Sequence, residues 1–406
     1  MPAVPRVSLK QVNHYLWRRQ RLDLKESLSP NQLADDLVGL YGSAPTCYLS
    51  ILARSPDFQF QQLDDALYQA RSLARLRAMR YTVFLSTRKM FPVFYQATRK
   101  VGDGDFRNLV RKSGIPEKEF AQVSKQIMKV LTGKSMGIAE IKNHLPKLSE
   151  TAKRGLGFVV PLMSAQGLLV RAGVCGGWKS NLFVYARLVD WLSGVELDSI
   201  SPHEARLMLG RAYFRAYGPA TAEDFGWWIG LNKSDWTQAM QTLKNKLTTI
   251  EIKGLESDYL LFPEDVADLE KAPDLKTESV NLLPVWDNYM MAYKNRLRYV
   301  AEDKLLYVYD RGGNSTSLIL VRGQVAGLWD FEETKHQLRL KVSFFSDPPA
   351  STLRELSAAA KRLSAALEKN EVKLKLCDLP KPLATAGLNV FRTPLKDAIV
   401  RREIGL

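Results

Sequence analysis

Apolar positions along this chain recur at helical spacing, then switch to alternating β-type runs, and the switch happens three times. The first switch lies within residues 7–90. Ser8 precedes an apolar stripe of Val12, Leu16 and Leu22, with Gln11 at capping-box spacing. Ser29 stands before Pro30, the favoured first residue of a helix, and opens "SPNQLADDLVGL". "QQLDDALYQARSLARLRAMR" predicts a third helix, and "YTVFLS" is rich in β-branched and aromatic residues, which predicts a strand. The second switch spans 118–190. Helices over "EKEFAQVSKQIMKVL" and "MGIAEIKNHL" precede two apolar runs parted by "RAGVCGGWKSN", a hairpin tip whose Lys179 is placed to lie along a phosphate backbone. The third spans 202–262, where Thr221 caps "AEDFGWWIGL" and "TTIEIKGLESDYLLF" reads as a hairpin.

An acidic, proline-bearing linker over 263–279 follows. Beyond it, "SLILVRGQVAGLWDFEETKHQLRLKVSFF" alternates as strands, and Leu353, Leu356, Leu363 and Leu367 mark an amphipathic helix. The expected fold class is α+β, mainly α: three tandem winged-helix modules and a small barrel-like α+β module. Boundaries fall at 1–115, 116–200, 201–270 and 271–406.

Charge changes the picture. The chain of 406 residues carries a formal +15, and residues 1–200, with 29 basic and 16 acidic side chains, hold +13 of it. A basic half on a near-neutral remainder is the footprint of a polyanion-binding face, with nucleic acid the first candidate and a surface kept basic for solubility the alternative. There is no apolar run of membrane-spanning length and no signal-type start, so a cytoplasmic, nucleoid-associated, unprocessed protein is expected. Cys47, Cys175 and Cys377 are odd in number and far apart, as reduced thiols are. The four histidines stand in different modules, and a metal site needs ligands in company, so no metal and no cofactor is expected. "TGKS" (132–135) and "VGDGD" (101–105) are polar turns rather than nucleotide or calcium loops. Trp227 and Trp228 continue an apolar helical stripe and are assigned to the core.

The candidate chemistry centres on "LVGLYGSAPTCY" (37–48), a sharp turn followed by Arg71, Arg75, Arg77 and Arg80. These arginines either clamp phosphates or pair with carboxylates such as Asp64 and Asp65. In "WDNYMMAYKNR", Asp287 and Arg296 are further candidates for contact with DNA or with the turn.

Four stretches carry a family likeness in order: "LVGLYGSAPTCYLSILARSPDF", "YQARSLARLRAMRYTVFLST", "RAYFRAYGPATAEDFGWWIGL", and "LLPVWDNYMMAYKNR" with "LILVRGQVAGLW". Together they resemble the AlkZ/YcaQ-type winged-helix DNA glycosylases, which excise alkylated bases and unhook interstrand crosslinks. The resemblance implies a monofunctional glycosylase acting on double-stranded DNA, alkylated or crosslinked, with no Schiff-base lysine. It does not require an oligomer, so a monomer is expected. That family carries Gln–apolar–Gln or Gln–apolar–Asp before Ala–Pro; here the three positions are Tyr41, Gly42 and Ser43. Ser43 keeps a hydroxyl able to position water, Tyr41 has a protonated phenol able to stack on DNA, and neither is a strong general base. Asp35 and Asp36 read as solvated charges. The alternative is a protein that kept the fold and lost the chemistry: a DNA-lesion binder or transcription regulator.

Overall fold

Side-chain caps start helices where the sequence places them. The computed structural model describes residues 4–99, 111, 114–272, 279–387 and 395–406; the "VGDGD" turn and residues 273–278 of the linker lie outside the described residues. After β1 (Arg6–Val7) come α1 (Leu9–Arg19) and α2 (Pro30–Asp36), whose capping boxes join Ser8 to Gln11 and Ser29 to Gln32.

Three units then repeat one element order: helix, short strand, two helices, two-stranded ribbon. The first is α2, β2 (Leu40–Tyr41), α3 (Thr46–Leu52), α4 (Phe60–Asp64), β3 (Leu73–Arg77) and β4 (Val83–Thr87), in the sheet order β2-β4-β3. The second is α5 (Glu117–Val130), β5 (Ser135–Gly137), α6 (Ile138–His144), α7 (Glu150–Ala165), β6 (Leu169–Cys175) and β7 (Leu182–Arg187), in the order β5-β7-β6. In the third, α8 (Pro202–Tyr217), α9 (Ala222–Ile229) and α10 (Lys233–Lys244) precede the ribbon β8 (Thr248–Ile252) and β9 (Tyr259–Leu261). Its short strand shrinks to one bridge, Ala220 to Leu260, and β1 completes the sheet by pairing parallel to β8.

Three expectations are corrected here. The arginine segment is not one helix. Helical structure stops at a π-type turn over Asp65–Gln69, Arg71 adopts a left-handed φ of 52°, and Leu73–Arg77 pairs with Val83–Thr87 as a strand. Leu, Ala and Arg favour helix locally, but pairing with β4 overrides that preference. In the opposite sense, the start of the first apolar run expected in the second ribbon, "GFVVPLMSA", is helical, as the second half of α7, and the ribbon begins only at Leu169. Finally, α1 and β1 pack on the third unit rather than opening the first.

The C-terminal region is an open sheet rather than a barrel. Strands β10 (Val280–Leu283), β11 (Leu318–Val321), β12 (Gln324–Glu333), β13 (Gln337–Phe344), β14 (Glu371–Cys377) and β15 (Val400–Gly405) follow sequence order, so β10 and β15 are both edges. Only β13 and β14 run parallel, joined by α11 (Ala350–Ala366). Leu356, Ala360 and Leu363 of α11 share one apolar core with Cys47, Leu49, Ile51 and Leu52 of α3. Each such leucine contributes about 1.5–3 kcal/mol by leaving water. The sheet module is thereby fixed to the helix that follows the "YGSAP" turn. Among the described residues no helix is long and apolar enough to cross a membrane.

Candidate active site

The turn between β2 and α3 is held from three sides. Gly42 donates its N–H to Val83 O at 2.8 Å, and its carbonyl accepts from Arg75 Nε at 2.9 Å. A Cβ at Gly42 would stand 3.0 Å from Phe84 C and 3.0 Å from Val83 Cγ1, so the backbone lies against β4 as only glycine permits without displacement. The next residue, Ser43, is half-buried, and its carbonyl accepts from Cys47 N at 3.2 Å as α3 begins. Ala44 is then gripped twice by one side chain. Its N–H donates to Asn181 Oδ1 at 2.9 Å, and Asn181 Nδ2 donates to its carbonyl at 2.8 Å. Thr46 Oγ1 closes the turn by donating to Val285 O at 2.8 Å.

Asn181 lies at the tip of the β6–β7 ribbon, which docks on the turn and on the C-terminal sheet. Trp178 packs 4.8 Å from Phe60 and 6.0 Å from Tyr48 by ring centroids and stacks near Phe331. Lys179, expected along a phosphate backbone, is ion-paired instead with Glu333 at 2.6 Å. Burial opposes ionisation of the Glu333 carboxyl, yet bonds from Lys179 and Lys369 outweigh it and hold the group below its ordinary range.

Tyr41 is a core residue, contrary to its expected role in stacking on DNA. It is 3% exposed, its ring lies 4.5 Å from Phe84 and 6.1 Å from Trp286, and its N–H donates to Asn288 Oδ1 at 3.1 Å. Burial pushes its phenol pKa up, opposed by the charge of Arg80 and a bond with Thr82. The phenol therefore stays protonated and supplies no base at neutral pH.

The arginines separate into different roles. Arg75 is 1% exposed and faces no surface; it bonds Gly42 O and Tyr68 OH and approaches Cys47 Sγ. That corrects its expected place on a phosphate. Arg71 caps the Trp191 ring at 3.9 Å. Arg77, half-buried, donates to Tyr81 O at 2.8 Å and lies over the Tyr81 ring. Arg80, at a left-handed φ of 51°, and Arg296 both approach the Trp227 ring, at 4.1 Å and 5.4 Å. Trp227 is half-buried and packs against the main core as expected while also carrying two guanidinium groups, and Trp228 is 2% exposed and packs as expected. Arg296 also donates to Gly313 O at 2.7 Å.

Asp287 does not reach the surface either. It forms a bidentate pair with Arg54 at 2.7 Å for both bonds, and both side chains are fully buried. Asp36 pairs with Arg21 at 2.9 Å, and Asp35 accepts from Thr87 Oγ1 at 2.8 Å. Among the described residues no carboxylate bonds the Ser43 hydroxyl, and no group of three His, Cys, Asp or Glu is placed to hold a metal.

Sequence reasoning missed Asn181 and Asn288 as partners of this turn, and Arg54 as the partner of Asp287. Arg75→Met removes the bond to Gly42 O and leaves Tyr68 OH without its donor. A loss of about 2–3 kcal/mol is expected, with the turn released; urea unfolding and amide exchange at residues 42–47 measure both.

A glycine-tight turn leads straight into α3, whose start at Pro45 has no side-chain cap, within the first of three units of repeated topology. Residues 32–366 match a family model described as DNA glycosylase AlkZ-like, and the chain belongs to that family. It is 23% identical over 380 residues to an interstrand DNA cross-link repair glycosylase of Streptomyces sahachiroi, covering 89% of this chain and 97% of that protein. The solved structure of the Streptomyces sahachiroi DNA glycosylase AlkZ superposes with a TM-score of 0.75 at 18% identity, over 91% of this chain and all of that one. This likeness shows a shared fold.

Proposed function

We propose that this protein is a monofunctional DNA glycosylase that hydrolyses the N-glycosidic bond of alkylated or crosslinked purines in duplex DNA. The three repeated units act as winged helices, the first beginning at α2, the second near 116–200 and the third near 201–270 with β1 and α1 packed on it, and the sheet module of 271–406 braces them. The observation that carries the reading is the backbone of Gly42–Pro45, fixed by Arg75 and Asn181, at the positions that the resemblance aligns with the family's catalytic motif.

A purine alkylated at N3 or N7 carries a positive charge and departs as a neutral base, so no strong general acid is needed. Water then adds to the sugar carbon as the bond to nitrogen breaks, and its proton passes to solvent. Ser43 orients that water by hydrogen bonding, and the arginines around the turn offset the backbone charge of the strand. Arg71, Arg77, Arg80 and Arg296 are the phosphate-facing candidates of this reading.

The second reading is a lesion binder without chemistry. It is favoured by the burial of Tyr41 and by the lack of a carboxylate bonded to Ser43 among the described residues. Incubation with a duplex carrying 7-alkylguanine separates the two. Release of free base above spontaneous depurination is the expected result, and tight binding without release would sink the enzyme reading. Both readings require duplex affinity to fall steeply with salt, because phosphate contacts release counterions.

A further inference from the structure

The seam between the first and second units holds guanidinium groups that have no carboxylate ion pair among the described residues. Arg171 lies on β6, which packs against β3, and is 3% exposed. Its Nη1 donates to Ser164 Oγ at 3.1 Å, and its guanidinium lies 5.2 Å from the Phe183 ring and 5.9 Å from the Tyr185 ring. Arg77, at the end of β3, is half-buried, donates to Tyr81 O and lies over the Tyr81 ring, and its charge acts on Arg171. The Nε atoms of both arginines are buried and have no hydrogen-bond partner. Neither side chain has an ion pair with a carboxylate among the described residues, and Arg75 adds a third guanidinium nearby. The pKa of Arg171 is pushed down to about 10, chiefly by burial; Tyr185 opposes the shift, and the charges of Arg77 and Arg75 add to it.

Such an arrangement is costly in the free protein. A buried cation is ordinarily paired or replaced by a neutral side chain, and like charges add to the penalty. The two unpartnered Nε–H donors suit the lone pairs of phosphate oxygens, and Arg77 is partly exposed.

We propose that Arg77 and Arg171 form a site for a single phosphate group at the seam between the first and second units. Resting on the reading above, its occupant is a phosphodiester of the bound duplex, held beside the tip of the β3–β4 ribbon. The site joins the two units through the ligand, so DNA binding tightens the seam that positions Asn181 over the turn.

The test uses the full chain and undamaged duplex, with base release left out of the readout. Arg171→Met is expected to lower the slope of log affinity against log salt by about one unit, the mark of one lost phosphate contact, and to weaken binding about fivefold to tenfold near 0.1 M salt. Arg77→Gln, at a partly exposed position, is expected to do the same and covers the case in which Arg171→Met fails to fold. In a second arm, inorganic phosphate at constant ionic strength is expected to raise the melting temperature of the parent protein but not of either variant. A lowered slope assigns the site to the DNA backbone. Stabilisation by phosphate with no change in slope assigns it to free phosphate. If slope and phosphate response are unchanged in both variants, the proposal is overturned and Arg171 is only a packing residue. A protein that binds duplex through this site yet releases no base would refute the glycosylase reading and leave the site standing.

Discussion

Asp287→Ala lowers the stability of the folded protein by about 3–5 kcal/mol, because it strands a buried arginine. Arg54 gives both Nη atoms to Asp287, Nε to Gln20 O at 2.9 Å, and a further Nη1 bond to Ser50 O at 3.0 Å. Ser50 Oγ donates to the same carboxylate at 2.8 Å, and Tyr289 N at 3.0 Å. The pair ties the end of α3 to the segment that carries Asn288, whose Nδ2 donates to Gly39 O at 2.6 Å. Both flanks of the Gly42–Pro45 turn therefore depend on it. Arg54→Met combined with Asp287→Leu removes both charges and is expected to recover most of the loss, since a well-packed apolar pair often matches a buried ion pair. Urea unfolding of the singles and the double measures the coupling. A single-variant loss under 1 kcal/mol would contradict the assignment.

Asn181→Ala separates catalysis from folding. The two bonds between Asn181 and Ala44 are partly exposed, so their removal costs only about 1–2 kcal/mol of stability. The turn then loses its only side-chain grip from the second unit among the described residues, and Ser43 moves relative to the strand held by the arginines. Displacement of a reacting group by an ångström costs on the order of 100-fold in rate. Single-turnover base release is accordingly expected to fall by about 10-fold to 100-fold with duplex affinity within about twofold. Equal losses of affinity and rate would instead place Asn181 on the DNA.

What the sequence disclosed and what it hid follow from the range of each interaction. The capping boxes at Ser8, Ser29 and Thr221 are contained within four residues, and they mark their helices correctly. The strand at Leu73–Arg77 was hidden because its partner lies across a turn and its composition favours helix. The turn at Tyr41–Pro45 stood out through its Gly, Ser and Pro. Its supports did not: Asn181 lies 137 residues from Ala44, and Asn288 lies 247 residues from Tyr41. An asparagine at a ribbon tip and another among aromatics look ordinary until the fold brings them to one turn. The arginines drew attention by number, but their neighbours decide their work. Arg75 holds the turn, Arg80 and Arg296 approach one tryptophan, and Arg171, overlooked in sequence, lies buried without a carboxylate ion pair among the described residues.

The measurement that bears most directly on the proposed chemistry is single-turnover release of 7-alkylguanine from duplex DNA by the parent protein and by Ser43→Ala. Duplex affinities are measured in parallel. The parent is expected to exceed spontaneous depurination, and Ser43→Ala to be slower by about tenfold or more at unchanged affinity, as befits loss of a group that positions water. Parent and variant releasing base at the same rate, or a parent no faster than DNA alone, would contradict it.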